Sequence, residues 1–208
     1  QFSPIGKEWN EQAAVFAEYV TGKTAEEVLG MSLTETTAPA EADLASSVTI
    51  AVGDFMALIE KAAANKTAEA VPVKTGYALT TNLTVENATA EADGNATTDI
   101  SLIAVTVTEE GVIESCEIDA IQGKVTFEED GQLTSEGGEV LSKMELGESY
   151  GMKAFSPIGK EWDEQVAAIE SYAVGKTVAE LQTTAIDEAG VVKDADLTSS
   201  ATIYMGSF

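Results

Sequence analysis

Two short stretches carry side chains that could do chemistry, and each occurs twice. D-L-A-S-S-V-T, with Asp43, Ser46, Ser47 and Thr49, returns 153 residues later as D-L-T-S-S-A-T, with Asp196, Ser199, Ser200 and Thr202. S-P-I-G-K, with Ser3, Pro4, Gly6 and Lys7, returns at the same offset with Ser156, Pro157, Gly159 and Lys160. Small hydroxyl residues in a turn running into a helix suit an anion or a phosphate. Backbone N–H groups and a helix N-terminus supply positive potential there without arginine. The same residues also make ordinary Ser/Thr helix caps, which is the structural alternative.

The two stretches belong to one longer repeat. Residues 2–55 and 155–208 align without a gap, and 26 of the 54 positions are identical. The identities gather in S-P-I-G-K-E-W, in G-K-T and in D-L-x-S-S-x-T-I. Core periodicity does not demand identical Ser, Pro, Gly and Thr, so these clusters are the leads.

Composition removes much other chemistry. The 208 residues hold 36 acidic and 11 basic side chains, a formal charge of −25, and every basic residue is lysine. Such a surface repels polyphosphate and anionic lipid, so no nucleic acid is expected as a partner. With no histidine there is no Ser-His-Asp or Cys-His nucleophile, no H-E-x-x-H zinc site and no imidazole ligand. Cys116 is alone in an alternating apolar run and reads as a buried, inert thiol on a strand. The carboxylate pairs Glu8/Glu11 and Glu161/Glu164 fall on the outer side of a helix, where solvation is expected, and this disfavours an acid–base hydrolase.

Residues 3–6 form a loop entering a helix over 7–20. Trp9, Phe16 and Val20 make its apolar stripe, with Ala13 and Ala17 beside it. Gly22 stops that helix, and Thr24 with Glu27 makes a capping box for a short second one. The later copy repeats these devices with Trp162, Val166, Ile169 and Ala173 as the stripe, Gly175 as the stop, and Thr177 with Glu180 as the box. Each Trp reads as a core anchor, with a ligand-stacking aromatic as the other possibility. A helix follows the first motif over 54–64. The middle of the chain differs: 77–85, 100–108 and 112–121 alternate as strands, with a hairpin turn at 109–111. A further strand is expected at 123–127, before a turn at 129–131. The expected fold class is α+β: an antiparallel β-meander followed by packed helices, in tandem repeat. Residues 1–66 form the C-terminal half of one unit, 67–74 a linker, and 75–208 a second unit lacking its last helix. This organisation suggests part of a longer tandem protein.

D-x-x-S-S-A-T resembles the D-x-x-[S/T]-G-A-T flavinylation motif of the extracytoplasmic FMN-binding domains, a family that includes surface flavoproteins of extracellular electron transfer. S-P-I-G-K is similar to that family's T-P-G-x-G loop, and the hairpin over 100–118 resembles its strand order. The resemblance implies FMN carried by a phosphoester on Thr202 and Thr49. Ser199, Ser200, Asp196, Ser46, Ser47, Asp43 and the main chain around them would line the phosphate. Ser156, Pro157 and Gly159, and Ser3, Pro4 and Gly6, would cover the flavin. It further implies a flavin transferase and a membrane reductase or other redox partner, an extracellular place on the cell surface as an exported or lipid-anchored protein, and a carrier role rather than turnover. Contact between chains through the partial repeat is a further expectation. Both copies depart from the motif at its glycine, which is Ser47 and Ser200, and the first has Val48 in place of alanine. The alternative class is a flavin-free structural or ligand-binding surface repeat, which the same caps and copies accommodate.

Overall fold

The computed structural model describes residues 3–64, 74–206 and 208. The chain divides into two compact units, Gln1–Ala70 and Val71–Phe208. Of the linker expected at 67–74, only Lys74 is among the described residues, and it opens the first strand. The architecture is α+β, with one three-stranded antiparallel sheet and several short helices. Among the described residues no helix is long and apolar enough to cross a membrane.

The first unit holds α1 (Trp9–Val20), α2 (Ala25–Leu29), α3 (Ala42–Ala45) and α4 (Gly53–Ala64). Helix α1 begins at Trp9 rather than Lys7 because Glu8 caps it. The Glu8 N–H donates to Glu11 Oε2 at 2.7 Å, and the Glu8 side chain accepts from the backbone in return. Phe16, Val28, Leu44, Val48, Val52 and Met56 form the core. Within α1 the buried positions are Gln12 and Phe16, so a polar side chain occupies part of the expected apolar stripe.

The second unit opens with β1 (Lys74–Glu86), β2 (Gly94–Val107) and β3 (Ile113–Phe127), in that spatial order. The turn expected at 109–111 is present: the Thr108 N–H donates to the Val112 carbonyl at 2.9 Å. No separate strand exists at 123–127. That segment is the end of β3, with Gly123 in register opposite Thr98. A single glycine weakens a strand without ending it when the partner strand runs on, and β2 does. Alternation along β3 turns Cys116, Ile118 and Ala120 inward, where they pack with Ile103 and Val105 of β2. Every residue of β1 is exposed.

Short helices complete this unit: α5 (Lys143–Leu146), two 3-10 turns at Gly147–Tyr150 and Met152–Ala154, α6 (Trp162–Ala173) and α7 (Val178–Leu181). Helix α6 lays Trp162, Val166, Ile169 and Ala173 on the inner face of the sheet. The G-K-T segment after it is tied to β3, because the Ile113 N–H donates to the Lys176 carbonyl and the Gly175 N–H to the Ile113 carbonyl, each at 2.8 Å. Lys176 stands 3.7 Å over the Tyr172 ring, and Lys23 stands 4.3 Å over Tyr19 in the first unit. Thr24 with Glu27 and Thr177 with Glu180 close reciprocal capping boxes. The repeated G-K-T is therefore accounted for by packing and capping.

The two tryptophans differ. Trp162 is 4% exposed beneath the sheet, whereas Trp9 is 60% exposed. The physical reason is the cover. Unit 2 sets β3 over the start of α6, and the described residues of unit 1 include no strand to do the same for α1. The carboxylate pairs were expected on a solvated face. Glu8, Glu11 and Glu164 are exposed as expected while the pairs also cap α1 and α6, but Glu161 is buried, accepting the N–H groups of Met152 at 2.8 Å and Lys153 at 3.0 Å.

Candidate functional site

Local sequence sets the first wall of the site. Ser156-Pro157-Ile158-Gly159 closes a turn in which the Gly159 N–H donates to the Ser156 carbonyl at 3.0 Å. Gly159 has φ +63° and its counterpart Gly6 has φ +71°, a region that strains any residue with a Cβ. Glu161 fixes the approach to this turn by holding the preceding 3-10 segment, and it also caps α6 behind it.

The second wall is the D-L-T-S-S-A-T segment. Leu197, 2% exposed, anchors it, and the N–H groups of Ser200 and Ala201 both donate to the Leu197 carbonyl, at 2.8 and 2.9 Å. In the first unit Leu44 does the same for Ser47 and Val48, at 2.9 Å each. The N–H groups of Ser200 and Ala201, and of Ser47 and Val48, are thus bonded within the turn. The helix expected over 54–64 is α4, which starts at Gly53, four residues after Thr49.

Thr202 meets the Ser156-Pro157 turn in a cleft of about 390 Å³. Thr49 meets Ser3 and Pro4 in a second cleft of about 320 Å³. Of the residues proposed from sequence, these six line the clefts. Asp196, Ser199, Ser200 and Gly159 do not line the first, and Asp43, Ser46, Ser47 and Gly6 do not line the second. They shape the turns and leave the cavity to the threonine and the proline loop.

One buried side chain joins the two walls. Gln165, fully buried on α6, accepts from the Thr202 N–H at 2.8 Å and from the Thr202 hydroxyl at 3.1 Å. Its amide donates to Ser156 Oγ at 3.3 Å and to the Lys160 carbonyl at 3.1 Å. Gln12 repeats all four bonds in the first unit. It accepts from the Thr49 N–H at 2.8 Å and the Thr49 hydroxyl at 3.1 Å, and it donates to Ser3 Oγ and the Lys7 carbonyl at 3.1 Å each. Sequence reasoning passed over both glutamines. The available signal was an identical polar residue three positions after each Trp, on the face that otherwise carries core residues.

Charge and rings complete the Thr202 cleft. Lys143 of α5 lies on its wall, with Nζ 4.9 Å from the centre of the Tyr150 ring and 5.5 Å from that of Trp162. Among the described residues lining this cleft it carries the positive charge. Phe155, 90% exposed, and Tyr204, 57% exposed, stand at the rim, and Phe208 also faces the cavity. No repeat counterpart pointed to Lys143. The Thr49 cleft is lined by Lys7 and Trp9. A hydroxyl, a lysine and flat rings around a cavity of this size are the groups that an organic anion with an aromatic body would use.

No family model and no solved structure matches this chain. Over 41 residues it is 56% identical to a chlorophenol reductase of Desulfitobacterium hafniense, a stretch amounting to 20% of this chain and 12% of that protein. The chain thus spans about one eighth of that relative's length.

Proposed function

We propose that the protein is an extracellular electron carrier whose Thr202 holds FMN through a phosphoester, with Thr49 as a second acceptor. The observation that carries this reading is the convergence of Thr202, the Ser156-Pro157 turn, Lys143 and the rim aromatics on one cleft. The residues fit the group. Lys143 offers the phosphate a charge in a chain of net −25, while Phe155 and Tyr204 offer faces to a planar ring system. The cavity falls within the range of about 300–1,000 Å³ usual for small-molecule sites. When bound, the flavin would supply the redox chemistry, so the protein needs no histidine or reactive thiol of its own. The chain's part is to hold and orient: Thr202 tethers, Lys143 neutralises, and the proline turn limits access of water from one side. Tethering suits a place outside the cell, where a released cofactor would be lost. A flavin transferase and a reductase or other redox partner are then required, and lysine-rich partner surfaces suit the acidic coat.

A flavin-free ligand-binding surface unit is the second reading. It is favoured by the Ser200 and Ala201 N–H groups, which bond within the turn and leave the phosphate fewer main-chain donors than the flavinylation motif implies. Intact mass and a visible spectrum after co-expression with a flavin transferase separate the two. A gain of one or two FMN units, with one lost in Thr202→Ala, supports attachment. An unmodified mass, with a transferase shown to act on another substrate, removes it.

A further inference from the structure

We infer that Gln165, and Gln12 in the first unit, are positioning residues that aim the threonine hydroxyl into its cleft for phosphoryl transfer. The inference rests on the flavin attachment proposed above and adds the residue that makes Thr202 a competent nucleophile.

A glutamine side chain has two acceptor positions and two N–H donors, and Gln165 uses all four, with Met152 Sδ at 3.4 Å sharing the donor edge with Ser156 and Lys160. Its orientation is not arbitrary. The Thr202 N–H can only donate and the Lys160 carbonyl can only accept, so Oε1 must face the threonine and Nε2 the proline turn. With Oε1 a pure acceptor, the Thr202 hydroxyl proton is directed at Gln165. The lone pairs of Oγ1 are then turned away from the buried amide, and Thr202 lines the cavity. The N–H bond from the same residue holds the backbone, which leaves the hydroxyl little rotational freedom.

A purely structural staple between two loops needs the backbone partners alone. Here the amide also grips both hydroxyls, and it does so in both units with distances matching to within a few tenths of an ångström. A threonine presented with a fixed rotamer is what phosphoryl transfer requires, because the reaction consists mostly of positioning and charge stabilisation. In that step a bond forms between Oγ1 and a phosphorus of a flavin nucleotide activated as a pyrophosphate diester. The bond from that phosphorus to the bridging oxygen breaks, and the hydroxyl proton ends on the released phosphate or on solvent. No electrons change hands. Afterwards the ester oxygen no longer donates, and Gln165 keeps the Thr202 N–H.

The test is the rate of flavin attachment to the full chain by a flavin transferase. It compares wild type with Gln165→Met, which keeps volume and loses every hydrogen bond, and follows each threonine by peptide mass. The expected result is a fall of about 10- to 100-fold in the attachment rate constant at Thr202, with the apparent KM for the protein little changed and attachment at Thr49 unaffected. Gln12→Met is expected to show the converse. Equal rate constants in variant and wild type would overturn the inference, as would a rise in KM alone, which a structural role would give. Absence of flavin from the wild type would instead count against the attachment itself. Each rate is measured with and without trimethylamine N-oxide, whose presence keeps a destabilised variant folded. Recovery of the full rate with folding would also refute a positioning role.

Discussion

Replacing Gln165 by methionine has a stability consequence that can be worked from the bonds it makes. Methionine has similar volume and flexibility, so the packing of α6 against the sheet is largely kept and little cavity cost arises. What is lost is pairing. The Thr202 N–H and the Lys160 carbonyl each lose the buried amide as a partner, and both residues are only partly exposed. The two hydroxyls can turn to other partners, so the backbone groups dominate. At about 1–3 kcal/mol for each group left unpaired, offset in part by no longer burying an amide, the expected loss is about 2–4 kcal/mol. That is a large part of the 5–15 kcal/mol or so that holds an ordinary domain. Urea unfolding reads it, with emission of the buried Trp162 as the probe in a Trp9→Phe background. Trp9 is 60% exposed, so its replacement removes the second signal at small cost. With a slope of about 2 kcal/mol/M, the midpoint should fall by about 1–2 M while the slope stays constant. A shift below about 0.3 M would mean that the amide's partners are satisfied without it, and the claim that Gln165 joins the two walls would fall.

Other expectations follow from single positions. Thr37 has φ +58°, while its counterpart Gly190 has φ +73°. Relief of strain in a β-branched residue exceeds the added chain entropy of glycine, so Thr37→Gly should stabilise unit 1 by about 1 kcal/mol. Gly190→Ala should destabilise unit 2, since a Cβ there also meets the Tyr204 ring. Thermal melts of the pair check the opposite signs. Burial, then the nearby Glu170 and Glu117 carboxylates, push the Cys116 thiol up to about 11 from 9.0. Its alkylation at pH 8 should run about 100-fold slower in the native protein than in urea, a difference that comparable rates would refute. Burial also raises the pKa of Glu170, outweighing the Ile118 N–H that it accepts at 2.7 Å. A raised carboxyl binds more protons folded than unfolded, so it lowers stability as pH rises from the ordinary carboxylate range through its folded value. Glu170→Gln keeps the acceptor oxygen and should be the more stable protein at pH 7, with the advantage fading as pH falls below the ordinary carboxylate range. Urea midpoints across pH 3–8 measure that difference. On the proposed flavin reading, Lys143→Gln should leave folding intact and weaken FMN binding at the Thr202 cleft, seen as reduced fluorescence quenching on titration with FMN.

Features that depend on a few neighbouring residues were legible in the sequence. The Thr24/Glu27 and Thr177/Glu180 boxes, the turn at 109–111 and the turn closed by Gly159 all form within five residues. Their hydrogen bonds require only the local backbone and the side chain at hand, so local chemistry determines them. The inner face of β3 was equally readable, because strand alternation fixes which of its side chains can face inward. What tertiary structure decided was the partner of each threonine. Gln165 lies 37 residues from Thr202, and Gln12 lies 37 from Thr49, with loops between whose paths no periodicity specifies. Two identical Trp positions likewise took different fates, 4% and 60% exposed, because only one had a sheet to lie under. The spent N–H groups beside Ser47 and Ser200 belong to the same class, since the turn they close is set by where Leu44 and Leu197 are buried. Sequence supplied the hydroxyl, the turn and the caps. Burial of one amide between distant segments joins each threonine to its proline turn, and only the folded chain brings those segments together.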